Sequence, residues 1–422
     1  MNEVKLSVNN GMLQGYRALD LTDAESQLCG RILADLGVDV IRVEKPGGDS
    51  SRNIGPFYGN VIHPEKSLWW FALNANKRGI TLDLEKEDGR ELLKRLIKSA
   101  DFVIESYPPG HMAKLGLDYS CLNEINPRII VTSITPFGQT GPYQYFKASE
   151  LTLMALGAFL FGTGEPDRPP VKPNYPLACI ASSIHAASAT LIAHYHRSRS
   201  GKGQYIDVST QAGVPWFTGA KVSAWWQMHQ QTVGRTGWAN VRRPGDLSTR
   251  FIWPCRDGYV LFQLQGAAVG SRSNKAMAQW IAEEGMGDDY FRDFDWESFD
   301  VFRASRETVS RLEQAIATFF LGKIRQELAQ EAEDRGVLLG YIDGIGRLPQ
   351  NPQLASRQFW KKVEHHELQT PLTYPGFFFK SSLTSGDIRH RAPLIGEHNN
   401  EVYGEIGLSK AEILSYNQAG VI

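Results

Sequence analysis

The sequence predicts a large α/β domain with a doubly wound parallel sheet, and three observations predict it. Strand-like and helix-like segments alternate through the first half of the chain. Residues 16–21 and 38–43 are short apolar segments typical of buried strands. Between them, residues 27–36 repeat leucine and isoleucine on one helical face. Because a helix that joins two such strands crosses from one to the next, the strands pair in parallel with helices on both faces.

The other elements of the first half continue this alternation. Gly37 follows the first helix, where glycine commonly ends a helix. A second helix is predicted at residues 87–98, with Leu92, Leu93, Leu96 and Ile97 turned inward. The remaining predictions are strands at 102–104, 129–134 and 205–208, a helix at 182–194, and a buried helix in the apolar stretch 151–161.

The second half of the chain has a different pattern and predicts a smaller domain. Residues 216–300 hold seven of the ten tryptophans. Residues 253–264 are typical of a hairpin that turns at Asp257–Gly258, and helices follow at 311–320 and 324–335. A proline-punctuated segment then leads to a short helix near 410–417. We therefore predict a large domain at 1–220, a small domain at 221–349, and a C-terminal segment at 350–422 that returns to the large domain.

Composition excludes several classes of protein. The 422 residues include 45 basic and 46 acidic side chains, a formal net charge of −1. Nucleic-acid binding needs a surplus of Lys and Arg, so we expect no nucleic-acid partner. Four scattered cysteines do not form a disulfide framework. The sequence has no apolar run of about 18 residues and no signal-type apolar segment at its start, so we expect a cytoplasmic protein without a membrane span.

The common motifs of cofactor and metal chemistry are absent from the sequence. The first strand leads into LTDAESQLCG instead of GxGxxG, and GKG at 201–203 lacks the flanking residues of a phosphate-binding loop. His365, His366 and Glu367 are consecutive, and consecutive side chains point apart. We therefore predict no metal site and no permanently bound cofactor.

Several cations lie in loops beside the predicted strands and helices. Lys45 directly follows a buried strand, at the end where open α/β sheets bind ligands. The tripeptide Asn76-Lys77-Arg78, Lys114 and Lys147 also lie next to predicted elements. Such cations suit a ligand that carries phosphates. Ordinary surface cations would give the same pattern, and spacing alone leaves both interpretations open.

A series of motifs, in constant order, resembles the class III CoA-transferases. The motifs are LDLT (19–22), LADLGVDVIRVEKPGGD (33–49), NANKRGITLDL (74–84), DFVIESYPPG (101–110), INPRIIVTSITPFGQTGPY (125–143), SGKGQYIDVS (200–209) and LIGEHN (394–399). The resemblance covers almost the whole chain. It implies a Rossmann-like large domain built from both chain ends, a small middle domain, and a dimer whose two subunits interlock like links of a chain. It also implies that coenzyme A thioesters are the ligands.

The resemblance also implies which residues line a coenzyme A pocket. Lys45 matches a cation beside the adenosine diphosphate, and Ser106 stands where members usually have Asn. The loop after the first strand matches the thioester end, where an acidic residue such as Glu25 is unusual. The eight matching positions are Lys45, Leu82, Ser106, Lys114, Lys147, Ala24, Glu25 and Ser26.

This chain differs from the family at the position of the nucleophile. In members that transfer CoA, an Asp attacks the donor thioester, and an enzyme–CoA thioester then forms. The matching position here is Cys179, and residues 173–187 contain no Asp or Glu. A cysteine would form an acyl-cysteine instead, and no cation near it in the sequence would lower the pKa of its thiol. We therefore predict a small buried side chain at Cys179, with Glu150 as the carboxylate to consider for residual acid–base chemistry.

Three functions follow from this combination. The favoured one is a non-catalytic subunit of a heteromeric class III CoA-transferase that moves CoA from succinyl-CoA to a dicarboxylic acid. The motif style resembles benzylsuccinate CoA-transferase of anaerobic toluene degradation, in which a homologous subunit carries the Asp. The second is a stand-alone acyl-CoA isomerase, epimerase or lyase that uses Glu150 and His185 as its acid–base pair. The third is a CoA-binding pseudoenzyme.

Overall fold

The computed structural model describes residues 11–217, 230, 234–243, 247–384 and 386–422. The chain divides into two units. The first holds the described residues of Met1–Gly157, Pro173–Phe217 and Pro349–Ile422, and the second holds those of Ala158–Lys172 and Thr218–Leu348. The segment Ala158–Lys172, which the sequence analysis assigns to the large domain, therefore belongs to the second unit.

A six-stranded parallel sheet organises the first unit. The strands are β1 (Arg17–Leu21), β2 (Asp39–Glu44), β3 (Arg78–Thr81), β4 (Phe102–Glu105), β5 (Ile130–Thr135) and β6 (Gln204–Ser209). Their order is β3-β2-β1-β4-β5-β6, and every neighbouring pair is parallel. The predicted α/β class is confirmed. The order reverses between β1 and β4, and doubly wound folds bind ligands beyond the carboxyl ends of the strands at this point.

Helices cover both faces of this sheet. The helices of this part of the chain are α1 (Gln27–Asp35), α2 (Leu68–Asn74), α3 (Glu87–Ile97), α4 (His111–Lys114), α5 (Tyr119–Ile125), α6 (Glu150–Leu156), α7 (Leu177–Ser200) and α8 (Thr210–Gly213). Leu19 and Val103 face the side covered by α3 and α5. Ala18 and Phe102 face the side covered by α1 and α7. Neighbouring residues of one strand thus belong to two different apolar clusters, as strand geometry requires.

The helix α7 is long and apolar enough, by length and composition, to span a membrane. Half of that stretch is buried inside the protein, however. Ala186, Ala187 and Ala193 pack against strand residues of the sheet. Small side chains at these positions let the helix lie close to the strands. This packing is typical of the core helix of a globular domain.

The apolar stretch around α6 is less buried than the sequence predicts. The helix ends at Gly157, and its buried residues are Leu153 and Met154. A side chain at Gly157 would place its Cβ 2.4 Å from Val214 Cβ, so the close approach of the chain requires glycine there. Leu156 and Phe161 are exposed. A helix is confirmed up to Leu156, but Leu151 is exposed as well, so the prediction of a continuous buried helix over 151–161 is wrong.

The C-terminal residues complete the first unit. The helices here are α13 (Pro352–Ser356), α14 (Asn399–Glu405) and α15 (Lys410–Gln418). Val402 and Ile413 join the apolar cluster that contains α3. The N–H of Thr81 donates to Asn399 Oδ1 at 2.9 Å, and the Tyr403 hydroxyl donates to Thr81 O at 2.6 Å. The carboxyl end of β3 is thus held by residues from the other end of the chain.

An antiparallel hairpin joins β12 (Trp360–His365) and β13 (Thr370–Pro375). It is not predicted from the sequence. Pro371 and Pro375 lie in β13, and proline normally argues against a strand. Within the described residues this sheet consists of these two strands, so both are edge strands and tolerate proline.

The second unit contains two small antiparallel sheets and a group of helices. One sheet pairs β7 (Ala239–Arg243) with β8 (Leu247–Arg250), and the other has β9 (Ile252–Cys255), β10 (Gly258–Phe262) and β11 (Leu339–Tyr341). The helices are α9 (Ala267–Glu283), α10 (Asp289–Arg292), α11 (Arg306–Leu321) and α12 (Arg325–Arg335). Trp253, Trp280 and Phe320 lie in its core. The predicted hairpin is confirmed, but its turn lies one residue earlier than Asp257–Gly258, at Arg256–Asp257, since Gly258 already pairs with Cys255.

Candidate functional site

A cavity of about 730 Å³ opens at the carboxyl edge of the parallel sheet. Its lining residues follow four adjacent strands, β3, β2, β1 and β4, on both sides of the point where the strand order reverses. They include Thr22, Asp23, Lys45, Gly47, Gly48, Leu82, Glu85, Ser106, Tyr107 and His111. The volume suits a ligand of drug size or larger.

A glycine turn after β2 forms one wall of the cavity. Gly47 and Gly48 have φ values of 91° and 99°, in the left-handed region that favours glycine. A Cβ on Gly48 would lie 2.8 Å from Ile395 Cδ1. The sequence KPGGD therefore lets the chain turn sharply between Lys45 and Asp49 and leaves the wall free of bulky side chains.

A buried ionic network lies beneath the cavity and holds the ends of the strands. Arg42 donates to Asp20 Oδ1 at 3.2 Å and to Asp49 Oδ2 at 2.7 Å. Lys77 Nζ donates to Asp20 Oδ2 at 2.7 Å. Burial alone would raise the pKa of Asp20, but the charges of Lys77 and Arg42 hold it below its ordinary value. Burial lowers the pKa of Lys77 to about 8.

These contacts exclude Lys77 and Arg78 as ligands for a phosphate. Lys77 also donates to Gln27 O and to Asn74 Oδ1, so protein atoms accept all three of its donors. Arg78 forms ion pairs with Asp39, Glu401 and Glu405. The interpretation of these two residues as phosphate-binding cations is therefore wrong. Sequence spacing does not reveal these structural contacts, because all the residues that pair with Lys77 and Arg78, apart from Asn74, are distant in the chain.

The cavity brings together only part of the predicted coenzyme A contacts. Lys45, Leu82 and Ser106 line it. Lys45 is exposed and makes no ion pair within the described part of the chain. Lys114 lies at the end of α4 and Lys147 in the loop between β5 and α6, and both are exposed and outside the lining of this cavity. Of the three cations predicted to contact coenzyme A, Lys45 is therefore the one that lines the cavity.

The loop after β1 runs from the cavity to Cys179, which Glu25 of this loop contacts. Asp23 lines the cavity, and Ala24, Glu25 and Ser26 follow it. The N–H of Asp23 donates to Ser106 Oγ at 2.6 Å. The Ser106 hydroxyl also bonds the Asp23 carboxyl group, whose pKa is raised by burial. Ser106 thus ties the end of β4 to this loop.

Two further lining residues, Tyr107 and His111, are not among the contacts predicted from the sequence. Their rings stack with centroids 4.7 Å apart. Both lie just beyond the carboxyl end of β4, as Lys45 lies beyond β2. These two residues could therefore have been predicted by the rule that selected Lys45, namely that ligands bind beyond the carboxyl ends of the strands, applied to β4 instead of β2.

Two carboxyl groups lie beside Cys179, the residue that the sequence resemblance matches to the family nucleophile. Cys179 is buried near the start of α7. Its Sγ lies 3.1 Å from Glu150 Oε2 and 3.5 Å from Glu25 Oε2. Burial and the charges of Glu25 and Glu150 raise the pKa of the Cys179 thiol far above its ordinary value. The thiol is therefore neutral at physiological pH and is not an activated nucleophile.

Glu150 has a structural role at this position. Its Oε1 accepts the N–H of Ala178 at 2.9 Å, and its Oε2 accepts the N–H of Cys179 at 3.3 Å. These N–H groups belong to the first turn of α7, where Pro176 provides no side-chain cap. A carboxylate at the positive end of a helix is favourable. Glu150 thus caps α7 from another helix.

His185 lies apart from this group of carboxylates. It follows Cys179 by six positions, about 120° around the helix axis. Its ring meets the ring of Trp216, with centroids 5.8 Å apart. In the described chain it forms no hydrogen bond with Glu25, Glu150 or Cys179. The acid–base pair of Glu150 and His185, considered from the sequence, is not assembled.

The cluster at His365 is a structural network. His365 is buried, its Nδ1 is 2.8 Å from Glu367 Oε1, and its Nε2 is 2.8 Å from the Tyr374 hydroxyl. The expectation that these consecutive residues point apart is correct for His366, which is exposed, and wrong for Glu367. Among the described residues, no group of three His, Cys, Asp or Glu side chains is arranged to hold a metal ion.

Comparison with known proteins identifies the family. Residues 13–399 match CoA-transferase family III. The BbsE subunit of succinyl-CoA:(R)-benzylsuccinate CoA-transferase from Thauera aromatica is 32% identical over 96% of this chain and 97% of that protein. The beta subunit of succinyl-CoA–L-malate CoA-transferase from Chloroflexus aurantiacus is 28% identical over 93% of this chain and 94% of that protein.

A solved structure gives the same result for the fold. A CAIB/BAIF family protein from Brucella suis superposes with a TM-score of 0.80 at 27% identity, over 94% of this chain and 100% of that one. The two relatives above are subunits of transferases named for succinyl-CoA, a coenzyme A thioester. The match over nearly the whole sequence, together with the parallel sheet and its crevice, shows that this chain belongs to CoA-transferase family III.

Proposed function

We propose that this chain is the subunit without a nucleophile in a heteromeric CoA-transferase of family III. A homologous partner subunit carries the catalytic Asp. The complex moves CoA from succinyl-CoA to a dicarboxylic acid such as benzylsuccinate. The observation that carries the proposal is the neutral thiol of Cys179, held between two carboxyl groups at the family nucleophile position.

The chemistry of transfer supports this assignment. A carboxylate nucleophile attacks the donor thioester and CoA leaves as its thiolate. The thiolate then attacks the enzyme acyl carbon of the mixed anhydride, which gives an enzyme–CoA thioester and releases the donor acid as its carboxylate. Cys179 does not supply that carboxylate, and Glu150 is engaged in capping α7. The relatives named as subunits support a partner that does.

The cavity at the carboxyl edge of the sheet is the proposed site for coenzyme A in this chain. In this proposal, Lys45 contacts the phosphates, Leu82 the adenine, and the loop Ala24–Ser26 the thioester. Lys114 and Lys147 remain proposed contacts that do not line the cavity in the isolated chain. We further propose an interlocked dimer with the partner in the cytoplasm, and that the two units of the chain correspond to the large and small domains of the family.

The stand-alone isomerase is less well supported than the partner subunit. An acid–base pair at the α-carbon of a thioester requires two groups that converge on one place. Glu150 and His185 do not converge. The CoA-binding pseudoenzyme differs from the favoured proposal only in predicting no turnover by any complex.

Transfer activity with and without the partner tests the proposal. We expect the full chain alone to transfer CoA from succinyl-CoA at least ~10³-fold more slowly than the complex with its Asp-bearing homologue, since the nucleophile is missing. In the complex, Cys179→Ala should leave the rate within about twofold, because the neutral thiol takes no part. Full activity of the chain alone would contradict the proposal.

A further inference from the structure

We propose that Glu25 makes the pocket of this chain select coenzyme A thioesters with uncharged acyl groups and reject those with a terminal carboxylate. Succinyl-CoA would then bind poorly here, and the donor would be directed to the partner subunit. The inference rests on the proposed function, because it assumes that the cavity holds coenzyme A with its thioester near residue 179.

Three carboxyl groups cluster at that end of the site. Asp23 lines the cavity, Glu25 follows it in the same loop, and Glu150 approaches from α6. Glu25 Oε2 lies 3.5 Å from Cys179 Sγ, at the position where the family reaction takes place. Glu25 does not itself line the cavity, and its side chain is exposed in the loop that continues from the lining residue Asp23.

The cations of the site do not neutralise this cluster. Arg42 is committed to Asp20 and Asp49 beneath the cavity. Within the described chain, neither Glu25 nor Glu150 forms an ion pair with a Lys, Arg or His. Although the Glu25 side chain is exposed overall, partial desolvation of its carboxyl group raises its pKa, and the charges of Asp23 and Glu150 raise it further, as expected where like charges are close together.

A terminal carboxylate on the acyl group would add another negative charge to this cluster. Two like charges about 5 Å apart, at the effective dielectric constant of a partly buried site, weaken binding about tenfold to a few hundredfold. An acyl chain of the same length with a terminal methyl group avoids this repulsion. Glu25 is the natural residue to test, since Glu150 also caps α7 and its loss would disturb the helix.

Butyryl-CoA and succinyl-CoA form a matched pair of ligands for the test. Both acyl groups have four carbons, and they differ in a terminal methyl group against a carboxylate. Calorimetric titration at pH 8 uses the full chain as isolated, with any partner subunit that accompanies it. Binding that is weakened for both ligands by Lys45→Ala is assigned to the pocket of this chain.

We expect butyryl-CoA to bind at least about tenfold more tightly than succinyl-CoA in this pocket. Glu25→Gln should reduce the difference to within about threefold. Glu124→Gln removes an exposed carboxylate outside the cavity and should retain the original ratio. Equal binding of the two ligands, unchanged by Glu25→Gln, would overturn the inference and leave the proposed function standing. Binding of neither ligand would contradict the proposed pocket itself and the inference with it.

Discussion

Replacing Lys77 by methionine is expected to lower the free energy of unfolding by about 3 kcal/mol or more. Lys77 is fully buried, and its Nζ lies 2.7 Å from Asp20 Oδ2. Without it, Asp20 keeps Arg42 and Thr22 as partners but carries part of its charge uncompensated in the interior. The loss is large because a buried charge that loses one partner cannot recover hydration.

Urea unfolding, followed by circular dichroism, measures this loss against a matched control. Lys114→Met removes the same charge from an exposed position and should change stability by no more than about 0.5 kcal/mol. If the two variants unfold at the same urea concentration, the buried network does not stabilise the strand ends as described. A second variant, Lys77→Arg, keeps the charge but not the shape of the side chain. We expect its unfolding midpoint in urea to lie between those of Lys77→Met and Lys114→Met.

Stability is also expected to fall as the pH rises from about 4.5 to about 7, because of Glu105. This side chain is buried at the end of β4, and burial raises the pKa of its carboxyl group to about 7 from an ordinary value of 4.5. Between these pH values the folded protein binds a proton that the unfolded chain releases. The free energy of unfolding therefore decreases between about pH 4.5 and pH 7, and above pH 7 the whole decrease has taken place.

Glu105→Gln removes the titrating group and tests this prediction. Glutamine still has a carbonyl oxygen to accept the Tyr107 N–H, now 2.8 Å from Glu105 Oε2. We expect the variant to be about 3 kcal/mol more stable than the natural protein above pH 7 and nearly equal to it near pH 4.5. Glu124→Gln, at an exposed position, is the control and should show no such difference. A pH-independent effect of Glu105→Gln would contradict the prediction.

Local patterns predicted much of the large unit because most of its elements are continuous apolar segments. The first helix, predicted at 27–36, lies at Gln27–Asp35, and the strand predicted at 129–134 lies at Ile130–Thr135. The four-residue strand Arg78–Thr81 gave no such signal. It is too short to show a period, and it is held by Asn399 and Tyr403 from the other end of the chain.

The chemistry of the site was predictable only in part. The absence of a carboxylate at residue 179 is visible in the sequence, once the family motifs align the position. The contacts that decide the state of Cys179 are not visible, since Glu25 lies 154 positions away and Glu150 lies 29. Lys77 gave the opposite error. A lysine is ordinarily expected at the surface, and only the fold reveals that Lys77 pairs with Asp20, 57 positions away in the sequence.

The mass of each chain in the active complex is the most direct test of the proposal that the partner subunit, and not this chain, carries the nucleophile. The complex is isolated from its own host, its native mass is recorded, and the denatured chains are weighed after a brief incubation with succinyl-CoA. We expect two homologous chains in the complex, with a covalent CoA adduct on the partner and none on this chain. An adduct on this chain, or an active assembly that contains this chain alone, would contradict the proposal and would make Glu25 the first residue to replace.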